Sequence, residues 1–121
     1  MKKLLLLFLF VVLVLSIFLN GCSNPVTQAT EEFDIYYTIT SSSSPTAYCV
    51  YSYTLPDGNE QNGTGNLPIT TSTYKFKKGQ VCSVLGTLSG LTSVTVSIYK
   101  NGVLWKTMTS SSGIQLLQGT L

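Results

Sequence analysis

The sequence contains no histidine and no arginine, and only 10% of its 121 residues are charged. Without an imidazole there is no Ser–His or Cys–His nucleophilic pair and no histidine-bound zinc. Three cysteines are too few for a four-cysteine metal site, and no glycine-rich phosphate loop occurs. These absences predict a protein that is not an enzyme and that needs no metal or cofactor.

Charge is also scarce and evenly balanced. Beyond Lys2 and Lys3 the chain has five lysines and five acidic residues. Nucleic acids need a concentrated basic surface and anionic lipids attract clustered lysines, so neither is expected as an electrostatic partner. The acidic residues lie near turns and at the start of the first strand, where solvated charges are more usual than a catalytic or calcium-binding carboxylate pair.

One long apolar run stands at the N-terminus. Leu4–Leu19 follows a short positive segment, and its length lies between that of a signal-peptide core and that of a membrane-spanning helix. The next residues, up to Cys22, read LNGC and resemble the bacterial lipobox, in which the cysteine is lipidated and becomes the first residue after cleavage. An uncleaved helical anchor with an incidental Cys22 is the alternative. Both interpretations hold the rest of the chain on a membrane, outside the cytoplasm.

The predicted organisation has three parts: a lipoprotein signal peptide over residues 1–21, a flexible tether over residues 22–32 and one domain over residues 33–121. The tether is polar and short, so ten extended residues of it reach at most about 35 Å. The domain is therefore expected to stay close to its membrane, in the bacterial cell envelope.

From Phe33 onward the chain is rich in Thr, Ser, Tyr, Val and Ile, with turn residues at short intervals. Segments such as FDIYYTIT alternate between two faces, and none has helical spacing. Asn101-Gly102 between two such segments predicts a hairpin with a type I′ turn, and residues 55–66 predict a turn or an irregular edge hairpin. About seven strands predict an all-β fold, a small antiparallel immunoglobulin-like β-sandwich.

The remaining cysteines suggest a disulfide. If Cys22 carries lipid, Cys49 and Cys82 are left, and an even number of cysteines in an exported protein favours pairing. Each lies on the core-facing side of its predicted strand, so we expect a Cys49–Cys82 bridge between the sheets. Two buried free thiols that act as small core residues are the alternative.

Residues 67–113, from LPITTSTYKFKKGQ through VTVSIYKNG to SSSG, resemble the C-terminal part of the mycobacterial small membrane protein family, MmpS, and its lipoprotein relatives. The segment YSYTLPDGNEQ resembles an earlier strand and turn of that family. The resemblance implies a small β-sandwich outside the cytoplasmic membrane and, as a partner, an envelope exporter. The chain departs from the family in its lipobox and at Ile69, where relatives often carry Trp.

The aromatic residues offer a candidate ligand face for sugar or lipid. Alternation places Tyr51 and Tyr53 in the core and Tyr36, Tyr48 and Tyr99 on the surface, and it leaves Trp105 undecided. The candidate face therefore comprises Tyr36, Tyr48, Tyr99 and Trp105. Aromatic residues are common in strands, so ordinary packing is the competing explanation.

These observations favour a non-enzymatic lipoprotein whose β-sandwich is an accessory or interaction module of the cell envelope, attached by lipid on Cys22. The alternative is a carbohydrate- or lipid-binding module that uses the exposed aromatic residues.

Overall fold

The computed structural model describes residues 29–121, which form two packed antiparallel sheets. These residues contain nine strands, whose bounds are β1 Glu32–Thr40, β2 Tyr48–Thr54, β3 Glu60–Asn66, β4 Ile69–Thr70, β5 Tyr74–Lys77, β6 Val81–Leu88, β7 Val94–Lys100, β8 Val103–Ser110 and β9 Ile114–Thr120. The all-β sandwich predicted from the sequence is confirmed. The strand count exceeds the prediction because β3 and the short β4 lie in segments that lack apolar alternation.

The first sheet has five strands in the order β4-β1-β7-β8, and β5 pairs with the first half of β1 on the same edge as β4. The second sheet has four strands in the order β3-β2-β6-β9. We call them the five-stranded and the four-stranded sheet. The strands of both sheets lie along the long axis of the sandwich and alternate in direction. β1 begins at one end of the sandwich and finishes at the other.

Alternation decides which side chains fill the space between the sheets. Ile35, Tyr37 and Ile39 of β1 are fully buried or nearly so, and the side chains between them are partly exposed. The rest of the core comes mainly from β2, β5, β6, β7 and β9: Cys49, Tyr53, Phe76, Cys82, Val84, Leu88, Val94, Val96, Ile98 and Leu117.

The β7–β8 hairpin has the predicted turn. Asn101 and Gly102 both have positive φ, 51° and 78°, as a type I′ turn requires. Asn101 also binds the first strand, because its backbone N–H donates to the carbonyl of Asp34 at 2.8 Å and its Oδ1 accepts from the Asp34 N–H at 2.9 Å. The turn therefore extends the pairing of β1 with β7.

Candidate functional site

The predicted lipidation site, Cys22, lies outside the described residues, and so do the signal peptide and most of the tether. These predictions stay as they were made from the sequence. The described part begins at Ala29 and enters β1 at Glu32, one residue before the predicted start of the domain.

The predicted Cys49–Cys82 disulfide is wrong for this structure, in which both thiols are free and buried. Cys49 pairs with Leu88 in the β2–β6 ladder, and Leu88 is six residues along β6 from Cys82. Six residues of strand span about 20 Å, whereas a disulfide needs Cα atoms about 4.4–6.8 Å apart. Both cysteines do face the core, as expected, but they lie at opposite ends of it.

The candidate ligand face is split by the structure. Tyr36 and Tyr99 are cross-strand neighbours on the outer surface of the five-stranded sheet, with ring centroids 4.6 Å apart and planes within 6° of parallel. Each ring therefore covers one face of the other, and the pair presents less open aromatic surface than two isolated rings would. Tyr48 lies on the outer surface of the other sheet and is 59% exposed.

Trp105 turns inward and belongs to neither outer surface. A β-bulge near Ile98 and Tyr99 shifts the β7–β8 register, and the indole of Trp105 packs over Gly119 of β9, where a Cβ would overlap it. The Lys106 ammonium lies 5.2 Å from the indole centroid, and the Lys100 ammonium lies 3.8 Å from the ring centroid of Phe33. Trp105 thus covers the open side of the core, and its lysine neighbours make cation–π contacts there.

The structure reveals a different candidate site, the outer surface of the four-stranded sheet. Five of its apolar side chains form one contiguous group, which we call the apolar patch: Tyr48, Val50, Leu85, Ile114 and Leu116. Val81, which is 50% exposed, lies apart from them toward the end of the sandwich at which β1 begins. Exposure is 51% at Val50, 55% at Ile114 and 49% at Leu116, which is high for branched aliphatic side chains. Leu85 lies between its neighbours and is half-buried.

The strand register explains why these residues meet. Thr87 of β6 is opposite Val50 on one side and Ile114 on the other, so the three form one row across the sheet. In the next row with the same orientation, Leu85 is opposite Ser52 and Leu116. Same-face neighbours in adjacent strands are about 5 Å apart, so the patch is continuous across β2, β6 and β9.

Sequence reasoning placed Tyr48 on the surface but did not identify Val50, Leu85, Ile114 and Leu116 as its apolar neighbours. A signal was present in two adjacent apolar pairs, Val84-Leu85 in β6 and Leu116-Leu117 in β9. Adjacent strand residues point to opposite faces. Such a pair therefore indicates a strand that is apolar on both faces.

Charge is segregated along the long axis of the sandwich. Among the described residues every Lys, Asp and Glu lies toward the end at which β1 begins. Two ion pairs are made there, between Lys75 and Asp34 at 2.8 Å and between Lys78 and Glu31 at 3.3 Å. We call this the charged end.

The opposite end, which we call the uncharged end, carries three loops that contain only Ser, Thr, Gly, Pro, Ala and one Leu: residues 41–47, 89–93 and 111–113. Hydroxyl groups bind one another here, since the Ser93 Oγ lies 3.0 Å from the Ser42 Oγ and 2.9 Å from the Ser43 Oγ. Leu91 projects from the middle loop and is 91% exposed. The apolar patch lies on the side of the four-stranded sheet nearest this end.

The interior holds titratable groups that stay protonated at neutral pH. Burial raises the pKa of Cys82 to about 11, and burial followed by the neighbouring thiol raises the pKa of Tyr37 far above its ordinary value. Burial and the hydroxyl of Tyr74 raise the pKa of Tyr53 to about 12. A thiol that remains protonated is a poor nucleophile, so these groups act as packing and hydrogen-bonding elements.

Within the part of the chain that the structure describes, no three acidic or cysteine side chains come close enough to hold a metal ion. A shallow groove of about 420 Å³ opens at the charged end of the four-stranded sheet, beside Asp57, Glu60 and Gln118. Both oxygens of Asp57 already accept hydrogen bonds from Asn59, at 2.9 and 3.0 Å. This groove is therefore a weaker candidate site than the apolar patch.

No family model matches the chain, and no curated protein matches it either. The resemblance to the MmpS family stays a prediction from the sequence. Residues 29–121 contain no helix that is long and apolar enough to cross a membrane.

Proposed function

We propose that this chain is a membrane-tethered, non-enzymatic interaction module of the bacterial cell envelope, and that the apolar patch is its binding surface. The observation that carries the proposal is the exposure of Val50, Ile114 and Leu116 as one group on an outer sheet surface. Contiguous exposed apolar patches on small soluble domains commonly mark interaction sites.

The other outer surface of the same sandwich provides an internal comparison. The five-stranded sheet has its outer apolar side chains toward the charged end: the half-buried Tyr36 and Tyr99 and the exposed Leu104. Its rows toward the uncharged end are hydroxyl-bearing, with Thr95 bonded to Thr109 at 2.7 Å and Ser97 bonded to Thr107 at 2.9 Å. Antiparallel sandwiches usually keep their outer faces polar in this way, because water covers them. In the rows toward the uncharged end the four-stranded sheet departs from this rule, which supports a partner in place of water there.

The position of the patch agrees with a tethered domain. The chain enters β1 at the charged end, which is therefore the end that is joined to the predicted tether and the proposed lipid on Cys22. The uncharged end, with the patch beside it, then points away from the anchoring membrane. A partner can therefore reach the patch without displacing the ion pairs or the tether.

The resemblance to the MmpS family supports an accessory role in envelope transport, since some members of that family serve exporters. The predicted lipoprotein anchor replaces the membrane helix of those members. The apolar patch therefore becomes the part of this chain best suited to hold a partner protein.

Site-specific photocrosslinking in cells tests the proposal. A benzophenone amino acid replaces Leu116 in the patch, and a matched variant carries it at Thr109 on the other outer surface. We expect a discrete crosslinked protein band from position 116, lost when Leu85 is changed to Lys, and none from position 109. Equal crosslinking from both positions, or none from position 116, would contradict the proposal.

A second candidate, carbohydrate binding, is favoured by the Tyr36–Tyr99 pair. The rings lie beside a row of hydroxyl groups from Thr38, Ser97 and Thr107. A sugar has an apolar ring face that can stack on a tyrosine and hydroxyl groups that can bond to such a row. Saturable glycan binding that is lost in Tyr99→Ala and kept in Tyr48→Ala would support this candidate. Binding that is unchanged in Tyr99→Ala would exclude it.

A further inference from the structure

We infer that the partner of the apolar patch is the same patch on a second copy of the chain, so that the sandwich acts as a tethered homodimer. This inference rests on the proposed function, because it needs the patch to be a binding surface. It adds the identity of the partner and the symmetry of the contact.

One row of side chains on the four-stranded sheet is self-complementary about β6. Val50 on β2 and Ile114 on β9 stand at the same level on either side of Thr87. A two-fold axis that lies between two stacked sheets and runs along β6 places β2 of one copy over β9 of the other. Val50 then meets Ile114 of the second copy, Leu85 meets Leu85, and Leu116 lies opposite Ser52.

The axis along β6 is the one that joins both chains to their tethers on the same side of the dimer. A two-fold axis parallel to the strands points both charged ends in the same direction, so both chains can be anchored in one membrane. An axis perpendicular to the strands would point the two charged ends in opposite directions. A tether of about ten residues reaches at most about 35 Å, so in that arrangement both anchors reach one membrane only with the long axis of the dimer lying along it.

The charge distribution is compatible with a second copy as partner. The one charged side chain that the strands place on this outer surface is Glu60 of β3, opposite Thr54 of β2. With the axis along β6, β3 projects beyond the edge of the second sheet, so Glu60 faces no charge. Like charges that face each other across an interface lower its affinity. In this pairing no two charged side chains face each other.

The area is sufficient for a specific contact. Three overlapping strands of about seven residues cover a rectangle about 14 Å wide and about 23 Å long. The accessible surface of the side chains on this rectangle is larger than the area of the rectangle itself. We therefore expect the two copies together to bury about 1,000 Å² of accessible surface, which is near the lower limit for a specific interface. Such a dimer is weak in free solution, and shared anchoring strengthens it by raising the effective concentration.

Disulfide trapping in cells that express the full chain tests the inference. Thr87→Cys places a thiol on the proposed axis, and Asn62→Cys places one on the same sheet surface but outside the overlap. The unchanged chain sets the background, because Cys49 and Cys82 are buried. After mild oxidation we expect at least a tenfold excess of disulfide-linked dimer from Thr87→Cys over Asn62→Cys.

A second substitution shows whether the patch causes the trapping. Leu116→Lys in the Thr87→Cys chain should abolish the dimer, and Met108→Lys, at an equally exposed position on β8, should leave it. Equal trapping from Asn62→Cys, no dimer from Thr87→Cys, or a dimer that survives Leu116→Lys overturns the inference. If position 116 photocrosslinks a different protein while Thr87→Cys gives no dimer, the homodimer fails and the interaction function stands.

Discussion

Replacing Tyr37 with Phe removes one hydroxyl group from the centre of the sandwich, and with it a hydrogen bond between the two sheets. The Tyr37 side chain is fully buried, and its hydroxyl donates a hydrogen bond to the carbonyl of Thr54 at 2.9 Å. The β2–β6 ladder ends at Tyr53, one residue earlier. Tyr37 therefore provides a hydrogen bond to the last carbonyl of β2 from the opposite sheet.

The cost of Tyr37→Phe follows from that geometry. The ring and its packing remain, so the loss is that of one part-buried hydrogen bond, about 0.5–1.5 kcal/mol. For a domain of this size each 1 kcal/mol lowers Tm by about 4–8 °C. Chemical denaturation of the full chain, followed by tyrosine and tryptophan fluorescence, measures the change in the free energy of unfolding.

Tyr53→Phe is the matched control. Its hydroxyl bonds the hydroxyl of Tyr74 at 3.1 Å, and the half-buried Tyr74 can bond water instead. We expect a loss below about 1 kcal/mol for this variant. If Tyr37→Phe is as stable as the unchanged chain, or less damaging than Tyr53→Phe, the assigned role of the inter-sheet hydrogen bond is refuted.

Three further predictions concern the cysteines and alkaline pH. The folded state raises the pKa of Cys82 to about 11 from 9.0 and that of Tyr53 to about 12 from 10.0, so the stability that these groups contribute is fully present below about pH 9 and is lost as pH rises toward 12. Urea unfolding between pH 8 and 11 should show this decline, and Cys82→Ser should make it shallower; a decline of equal slope in both chains would refute it. Without reductant, Cys49 and Cys82 should react with a maleimide once the chain is unfolded and not before. If the unfolded chain reacts only after reductant is added, the two cysteines form a disulfide and the assignment of free thiols is wrong. Cys22→Ala should abolish lipid labelling and the lipoprotein-specific cleavage, and a mature wild-type protein that still carries residues 1–21, by intact mass, would contradict the lipobox.

The sandwich could be predicted because strand alternation is a local property. In β1 the buried residues Phe33, Ile35, Tyr37 and Ile39 fall on every second position, and the outer surface receives the rest. The Asn101-Gly102 turn could be predicted for the same reason, since its two positive φ angles depend on two adjacent residues.

β3 could not be predicted from alternation, because its sequence, EQNGTGN, has no apolar residue. The structure shows what its glycines do. The ring of Tyr51 lies where a Cβ of Gly63 would stand, and Ile69 lies 3.2 Å from the Cβ position of Gly65. The strand is thus packed through side chains of its neighbours, and that information is not in the segment itself.

The disulfide prediction failed because facing the core and meeting in the core are different properties. Alternation gives the face of Cys49 and of Cys82 correctly, but the position of each along the axis depends on the β2–β6 register. Register is set by long-range pairing and turn geometry. The same dependence hid the apolar patch, since Val50, Leu85 and Leu116 become neighbours only after three strands are aligned.

The accessibility of one engineered thiol in the intact envelope tests the central claim, that the apolar patch is covered by a partner. Thr87→Cys lies between Val50 and Ile114 of the patch, and Thr107→Cys lies on the other outer surface. Each is labelled with a membrane-impermeant maleimide before and after detergent dispersal, with the unchanged chain as background. We predict that Cys at position 87 labels at least tenfold more slowly in the envelope than in detergent, while Cys at position 107 labels at the same rate in both. Equal rates at position 87 in the envelope and in detergent would contradict the claim.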